Sequence, residues 1–324
     1  MNTSNGGPNI PLESTAMGER ENCSGYRYVI VSPAKDEEAY AAKTIESVAG
    51  QSIRPVRWVI VDDGSRDRTA EIASGYAQRY PWISVERIRR DPVRNPGPAV
   101  VAAFNSGLHS LASVDYDFLV KLDMDLILPR DYFEKLLARF KSDEGLGIAS
   151  GVYLESRNGQ WEAIQMPAYH AAGASKVMRR ECFEAIGGYS PNIGWDSIDE
   201  IRARALGWNT CHFPDLRFHH LRQEGRGIGR LRNSVKNGVA YYVMGGDIFF
   251  LLFKVPYRMV ASEPILLGGL AILWGYLGCF FTGRKRLVTK LEARLYRNLL
   301  RSQLWGRWRK APPETAILSN RRES

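Results

Sequence analysis

Three short apolar runs in the first 125 residues each end in a group of carboxylates, and this constrains the fold more than any other feature of the chain. Tyr26 to Ser32 (YRYVIVS) leads into Pro33-Ala34-Lys35-Asp36-Glu37. Val56 to Val61 (VRWVIV) leads into Asp62-Asp63-Gly64-Ser65, and Asp117 to Leu122 into Asp123-Met124-Asp125. Runs this short, rich in β-branched residues, predict buried strands. Between and after them the spacing predicts helices over Glu37–Gln51, Arg66–Tyr80, Ala99–Leu111 and Pro129–Lys141, with further strands at Trp82–Ile88 and Leu146–Leu154. Strands alternating with helices of this length imply βαβ units and a largely parallel sheet. In such a sheet ligands bind past the carboxyl ends of the strands, so the three acidic groups converge on one edge. Beyond residue 155 the alternation is less regular: Arg180–Ile186 and Asp196–Leu206 read as helices and Thr210–Phe218 as one or two strands.

Composition narrows the class. Of 324 residues 44% are hydrophobic and 24% charged, which excludes a disordered, collagen-like or disulfide-framework chain. A mean hydropathy of −0.28 excludes a polytopic membrane protein. The net charge of +9 is localised: Arg284 to Ser324 holds twelve Lys or Arg against three Asp or Glu, so the rest of the chain is neutral. A neutral body argues against nucleic-acid binding, and the basic tail suits anionic lipid. The four cysteines, at 23, 182, 211 and 279, have no metal-knuckle or CxxC spacing and read as free thiols in a reducing cytosol. Residues 1–25 lack the apolar region of a signal peptide and read as a flexible leader.

Pro264 to Thr282 is an uncharged run of 19 residues, about 28 Å long as a helix. Either it is a buried core helix or it meets a membrane. A single crossing would put the basic tail on the side opposite the body, against the positive-inside rule for a cytoplasmic body. Residues 247–260 and 264–282 are therefore expected to form a re-entrant hairpin or to lie in the interface, with Pro256 and Pro264 allowing the break.

No glycine fingerprint follows the first strand, and no P-loop or nucleophile elbow occurs. A site of carboxylates instead suits a hard divalent cation carrying a phosphate-bearing ligand, with the cation neutralising a diphosphate leaving group.

In order, PAKDE, VIVDDGSRDRT, NPGPAVVAAFNSGL, KLDMDLILP and GWDSIDEIRARALGW resemble a family 2 glycosyltransferase of GT-A fold over about residues 26–222. The resemblance implies an inverting sugar transfer from a nucleotide-sugar donor with Mg²⁺ or Mn²⁺ as cofactor. It puts Pro33 and Glu37 beside the nucleoside, Asp62 on the base and Asp63 next to it, with Gly64 allowing the turn and Ser65 capping the next helix. Asp123 matches the residue near the ribose and metal, and Asp125 the direct metal ligand. An inverting transfer needs a general base. The family's Asp of a Glu-Asp pair, followed by Arg and Gly, matches Asp196, with Arg202 and Gly207 in register. The preceding Glu is Trp195 here, which leaves Asp199, one turn on, as an alternative base, and a helix-capping role for Asp196 also open. By alternation His219 and His220 face opposite ways. His220 lies where the family places a histidine near the metal, and Arg222 could offset diphosphate charge. Lys121 reads as a strand residue at the sheet edge. Trp161 and Trp195 are acceptor-stacking candidates, with core packing the alternative for each.

The expected organisation is a leader (1–25), a GT-A domain with a Rossmann-like mostly parallel sheet flanked by helices (26–233), an apolar membrane-associated segment (234–283) and a basic tail (284–324). The expected partners are a nucleotide-sugar donor, a glycan or lipid-linked acceptor, and membrane lipids through 239–283 and the tail, at the cytoplasmic face of the cell membrane. The alternative is a non-catalytic membrane scaffold that keeps the fold, supported by Trp195 alone.

Overall fold

The computed structural model describes residues 25–88, 98–157, 159–222, 229–261 and 266–308. The expected leader up to residue 24, the loop at 95–97 and the last residues of the tail, 309–324, lie outside the described residues. In chain order the elements are β1 (Tyr28–Ala34), α1 (Ala41–Ala49), β2 (Arg57–Asp62), α2 (Thr69–Arg79), β3 (Ile83–Arg87), α3 (Pro98–His109), β4 (Phe118–Leu122), β5 (Leu126–Ile127), α4 (Tyr132–Ser142), β6 (Leu146–Arg157) and β7 (Gln160–Ala163). There follow β8 (Ser175–Arg179), α5 (Arg180–Ala185), α6 (Trp195–Ala205), β9 (Asn209–His220), α7 (Arg230–Val243), α8 (Ile248–Ala261), α9 (Leu267–Phe281) and α10 (Lys290–Trp308).

The sheet order is β3-β2-β1-β4-β8-β6-β9-β5, with β7 hairpinned onto β6. β1 to β4 pair in parallel, and their alternate residues feed two layers. Tyr28, Ile30, Trp58 and Ile60 pack under α1 and α4 with Phe133 and Phe140. Val29, Val31, Val59 and Val61 pack on the other face with Phe104 of α3 and Phe183 of α5. Strands covered on both faces have to be apolar throughout, which explains why their sequence shows runs rather than alternation. Gly107 lets α3 lie close on the sheet: a Cβ there would stand 2.7 Å from Val61 and 2.8 Å from Val31.

The expectation of a largely parallel sheet holds only for this half. β8 runs antiparallel to both β4 and β6, β6 and β9 are parallel, and β5 opposes β9. The sheet is mixed because the chain reaches β8 through the β6–β7 hairpin and a loop, with no crossover helix to restore its direction. The same pairing puts β4 mid-sheet, so Lys121 is not an edge residue as expected.

The C-terminal helices build a third core around α6. Ile198 and Ile201 of α6 join Tyr241, Leu251, Val255, Ile272, Tyr276, Tyr296 and Leu300. The long apolar run forms the 15-residue α9, about 22 Å long. No helix among the described residues is long and apolar enough to cross a membrane. One side of α9 is a core surface: Gly268, Gly269, Ile272, Gly275, Tyr276 and Cys279 are buried. Glycines bring α7 and α9 into backbone contact, because a Cβ on Gly275 would lie 2.2 Å from the Val235 carbonyl oxygen, and one on Gly238 2.0 Å from that of Ile272. This side matches the core-helix alternative, while the opposite side of α9 is exposed, with Trp274 at 75% and Phe281 at 79%. The basic tail is in part a packed helix: α10 buries Ala293, Tyr296 and Leu300, and its Arg301 pairs with Asp247 at 2.8 Å. Among the described residues Cys182, Cys211 and Cys279 are free thiols, as expected.

The glycine crossing gives a discriminating pair of substitutions. Gly275→Ala should destabilise by about 1–3 kcal/mol through overpacking. Gly278→Ala, whose Cβ would meet nothing within 4 Å, should be neutral or stabilising by up to about 1 kcal/mol through its helix propensity. Thermal melts of the two variants check the difference; equal melting temperatures would contradict the crossing.

Candidate functional site

The carboxyl ends of β1 and β2 are locked together before any ligand is considered. The Asp36 N–H donates to Ser65 Oγ (3.0 Å), Glu37 N–H to Thr69 Oγ1 (2.7 Å) and Glu38 N–H to Asp67 Oδ2 (3.0 Å). In return Arg66 N–H donates to Asp36 Oδ1 (2.9 Å) and Arg68 N–H to Glu38 Oε2 (3.1 Å). Asp36 has φ +55°, a left-handed conformation costly for a residue other than glycine, and these bonds hold it there. Ser65 does not cap the next helix as expected. α2 begins at Thr69, and it is Asp67 Oδ1 that accepts from the Thr69 N–H at 3.0 Å.

The expected nucleotide-side residues gather at this edge. Asp62 is 1% exposed; its Oδ1 accepts from Ser65 N–H at 3.0 Å and its Oδ2 from Arg87 Nε at 3.1 Å. Asp63 is buried beside it, its N–H donating to the Ala34 carbonyl at 2.8 Å. Pro33 closes β1 and is half-buried. Glu37 is buried and pairs with Arg222. The same guanidinium donates to the Asp36 carbonyl (3.0 Å) and lies 3.9 Å from Asp125 Oδ2, so it ties the first loop to the third.

At the end of β4, Lys121 is 3% exposed and its Nζ reaches Asp123 Oδ1 at 2.5 Å and the Gly173 carbonyl at 2.8 Å. Loss of hydration raises the Asp123 carboxyl and Lys121 opposes it. The β5–β9 pairing sets Leu126 opposite His220, which brings His220 Nε2 to 3.4 Å from Asp125 Oδ1 and its Nδ1 to 3.6 Å from Glu155 Oε1. Burial disfavours the imidazolium, but these two carboxylates outweigh it and raise His220 to about 10. Asp125 Oδ1 and His220 Nδ1 are buried without a hydrogen-bond partner, an arrangement that costs free energy unless something else is bound. No group of three His, Cys, Asp or Glu among the described residues is arranged to hold a metal ion alone. His219 turns the other way and meets Trp161 edge-on at 4.6 Å, where Trp161 on β7 is half-buried.

α6 opens at Gly194, whose φ of +81° suits glycine, and its first turn separates the two base candidates. Asp196 is half-exposed, whereas Asp199 is fully buried and holds Lys176 Nζ at 3.2 and 3.0 Å. Lys176 is itself fully buried and also donates to Glu200 Oε1 (3.0 Å) and to the Asp196 carbonyl (2.6 Å). Burial pulls the ammonium down, yet Asp199 and Glu200 leave it raised. Burial lifts Asp199 to about 7 against the pull of Lys176. Glu200 accepts from the Ala171 N–H and meets His170 Nδ1, each at 2.9 Å. Trp195, a candidate acceptor platform, is 9% exposed. It packs edge-on to Tyr189 with Lys121 and Lys176 Nζ 5.2 and 6.0 Å from its ring. It is a core residue, the alternative weighed for it, because the two ammonium groups and Tyr189 occupy its surroundings.

Three buried groups at this site escaped sequence reasoning, Glu155, Lys176 and Glu200, as did the half-buried Asp36. Glu155 in GVYLES and Lys176 in SKVM sit among strand residues, where a charge inside a buried run is the available signal. Glu200 follows Asp199 directly, and such an acidic pair on a core-facing helix asks for a buried cation.

Comparison with known proteins adds three findings. The model of glycosyl transferase family 2 matches residues 29–193, about half of the chain. The chain is 26% identical over 250 residues to the succinoglycan biosynthesis protein ExoA of Rhizobium meliloti, covering 64% of this chain and 70% of that one. It is 26% identical over 199 residues to the beta-monoglucosyldiacylglycerol synthase of Synechocystis sp., covering 55% of this chain and only 40% of that protein. Among solved structures, the mannosyltransferase PcManGT from Pyrobaculum calidifontis in complex with GDP-Man and Mn²⁺ superposes with a TM-score of 0.54 at 16% identity, covering 89% of each chain. S. aureus TarS in complex with UDP-GlcNAc gives 0.54 at 12% identity over 86% of this chain and 92% of that one. These likenesses show a mixed α/β, GT-A-like fold.

Proposed function

The chain belongs to glycosyl transferase family 2 and is a glycosyltransferase, and on that premise we propose that it transfers a sugar, with inversion, from a nucleotide-diphosphate donor to a hydroxyl of a glycan or lipid-linked acceptor. The observation that carries this reading is the buried Asp125, whose Oδ1 has no hydrogen bond and lies 3.4 Å from His220 Nε2, while Arg222 Nε stands 3.9 Å from its Oδ2. A buried carboxylate oxygen without a hydrogen bond suits a hard divalent cation, Mg²⁺ or Mn²⁺, which would displace the proton of His220 on binding and leave Nε2 free to ligate. Asp125 and His220 would hold it, and when bound it supplies charge neutralisation at the leaving group. Asp123 lies on the ribose side, restrained by Lys121. Asp62, Asp63, Glu37 and Pro33 form the nucleoside side, and Arg222 faces the diphosphate. These charged groups sit on the loops that follow β1, β2 and β4.

Asp196 is the base in this reading. It takes the proton of the acceptor hydroxyl, whose oxygen forms a bond to the anomeric carbon on the face opposite the donor diphosphate. The bond from that carbon to the diphosphate oxygen breaks, and its electron pair leaves with the nucleoside diphosphate. Asp199 is a poor alternative because both its oxygens face Lys176 and it has no exposure. Trp161, half-buried against His219, remains the candidate acceptor contact. The scaffold alternative rested on Trp195, and the packing of that ring between two lysines gives the substitution a structural reason.

The same reading sets the enzyme on the cytoplasmic face of a membrane. Of sixteen exposed large hydrophobic residues among those described, twelve are on or beside α8 and α9, among them Phe249, Leu252, Phe253, Val260, Trp274 and Phe281. Exposed Arg284, Lys285 and Arg286 adjoin them. An apolar face rimmed by cations suits the interface of an anionic leaflet, without a crossing helix.

Three outcomes are expected. In a thermal-shift series with UDP, GDP, dTDP and CMP, one nucleotide with Mn²⁺ or Mg²⁺ should raise the melting temperature, and EDTA or Asp125→Ala should abolish the shift; a shift that Asp125→Ala leaves intact would remove Asp125 from the cation site. Asp196→Asn should retain nucleotide binding and lose transfer by at least about 100-fold, while Asp199→Asn retains most of it; the reverse order of effects would transfer the base to Asp199. Leu252→Ser combined with Trp274→Ser should cut co-sedimentation with anionic vesicles several-fold at unchanged melting temperature, and undiminished binding would sink the membrane face.

A further inference from the structure

We propose that Lys176 is a positioning residue for transfer: its buried ammonium grips the main-chain carbonyl of Asp196 and, across the Trp195 ring, fixes the base helix against the DxD loop. The inference rests on the reading of Asp196 as the base. Three observations carry it.

First, the ammonium is placed where only a structural or catalytic demand would put it. Lys176 is 0% exposed, on β8, mid-sheet beside β4. Its Nζ makes its shortest contact, 2.6 Å, with the Asp196 carbonyl, and the two carboxylates that neutralise it, Asp199 and Glu200, belong to the same helix. One cation therefore holds three positions of the first turns of α6, and the carboxylate of Asp196 extends from the residue held most closely.

Second, the donor side is held by a parallel device on the neighbouring strand. Lys121 of β4 pairs with Lys176 in register across the β4–β8 ladder. Its Nζ binds Asp123 and the Gly173 carbonyl. Gly173 lies against Asp196: a Cβ there would stand 3.5 Å from that of Asp196. Two adjacent lysines thus point at the two halves of the site, one at the DxD aspartate and one at the base.

Third, both ammonium groups lie over the ring of Trp195, whose centroid is 5.2 Å from Lys121 Nζ and 6.0 Å from Lys176 Nζ. A carboxylate at this position would form an ion pair with one or both lysines. The indole keeps both cations in place through its π-face and leaves them to Asp123 and to the Asp196 carbonyl. Trp195 is therefore a shared contact of the two lysines that hold Asp123 and the Asp196 carbonyl.

Placement of a base matters to within about 1 Å, and a misplacement of that size can cost about 100-fold in rate. Lys176→Met alone leaves Asp199 and Glu200 buried without their cation, and its melting temperature is expected to fall. The decisive variant is Lys176→Met/Asp199→Asn, which removes one charge of each sign and leaves Glu200 to His170. Its melting temperature should recover most of what Lys176→Met loses, and its KM for the donor should stay within about twofold, while kcat falls at least about 10-fold relative to Asp199→Asn. A double variant with the kcat of Asp199→Asn overturns the proposal. So does one whose melting temperature falls as far as that of Lys176→Met, because the cluster would then hold the fold rather than the base. Asp196→Asn, measured alongside, separates the two levels: if it retains transfer, the base assignment has failed; if it abolishes transfer while the double variant is fully active, only the positioning role has.

Discussion

An ammonium group with no access to water has to be met by carboxylates, and the arrangement of this molecule around Lys176 follows from that requirement. Taking the charge out of water costs several kcal/mol unless good geometry and further hydrogen bonds offset it. Asp199, Glu200 and the Asp196 carbonyl are all within 3.2 Å of it. They can be there only if α6 runs over the end of β8 with its first turns facing the sheet. His170 and the Ala171 N–H then complete the second oxygen of Glu200 and the first, respectively, so the loop ahead of β8 is fixed as well. The orientation of α6 decides which acid faces the site. Asp199 is consumed by the cation, and Asp196, three residues earlier on a helix of 3.6 residues per turn, is left near the mouth.

The donor side depends on a different constraint, the mutual bonding of two loops. Asp36 in a left-handed conformation could not persist on its own. Its N–H, carboxylate and carbonyl are each engaged, by Ser65, Arg66 and Arg222. Strain of this kind is held by the surrounding structure, and it tends to occur where a loop has to present particular groups. Here the result is that Glu37, Asp62 and Asp63 occupy fixed positions, with Asp62 already supplied with two donors. Asp125 and His220 lie across the cleft from them, buried and joined to each other and to Arg222 by contacts of 3.4 and 3.9 Å.

Much of the first 150 residues was legible in the sequence because parallel strands covered on both faces need continuous apolar runs, and such runs announce their own ends. β1, β2, β3 and β4 fall within a few residues of the expected segments, and so do α1 to α4. The three acidic strand ends meet as the βαβ reading requires. What was not legible depends on pairings made far along the chain. β8 was missed, since SKVMR has two charges in five residues and is buried only because Asp199, Glu200 and backbone carbonyls accept those charges. Lys121 read as an edge residue because nothing local shows that β8 covers β4. Trp195 read as either a sugar platform or a core residue, since an aromatic at a motif position has the same appearance whether it stacks on a ligand or packs against two lysines. His219 and His220 were separated correctly by strand alternation, but the partner of His220, Glu155, belongs to β6 and comes near only through the bulged β6–β9 ladder.

The apolar C-terminal run illustrates how composition and spacing carry different information. Its hydropathy alone suggested either a core helix or a membrane segment, and α9 has one side buried as a core helix and one side exposed. The glycines at 268, 269 and 275 lie on the side that meets α7 and α8, where a missing Cβ allows backbones to approach closely. Trp274, Phe280 and Phe281 project from the other side. The buried side belongs to the same cluster as Ile198 and Ile201, which lie on the helix that carries Asp196. α6 is therefore clasped between Lys176 on the sheet and the helices that bear the exposed apolar face. The distance from that face to the site is set by packed side chains, with no free linker between them, so any surface on which α8 and α9 come to rest is held at a fixed height and angle relative to the base. If Asp196 is the base and the acceptor is carried on lipid, as proposed, that geometry would limit which hydroxyls reach Asp196 and tie the choice of acceptor to the packing of α6.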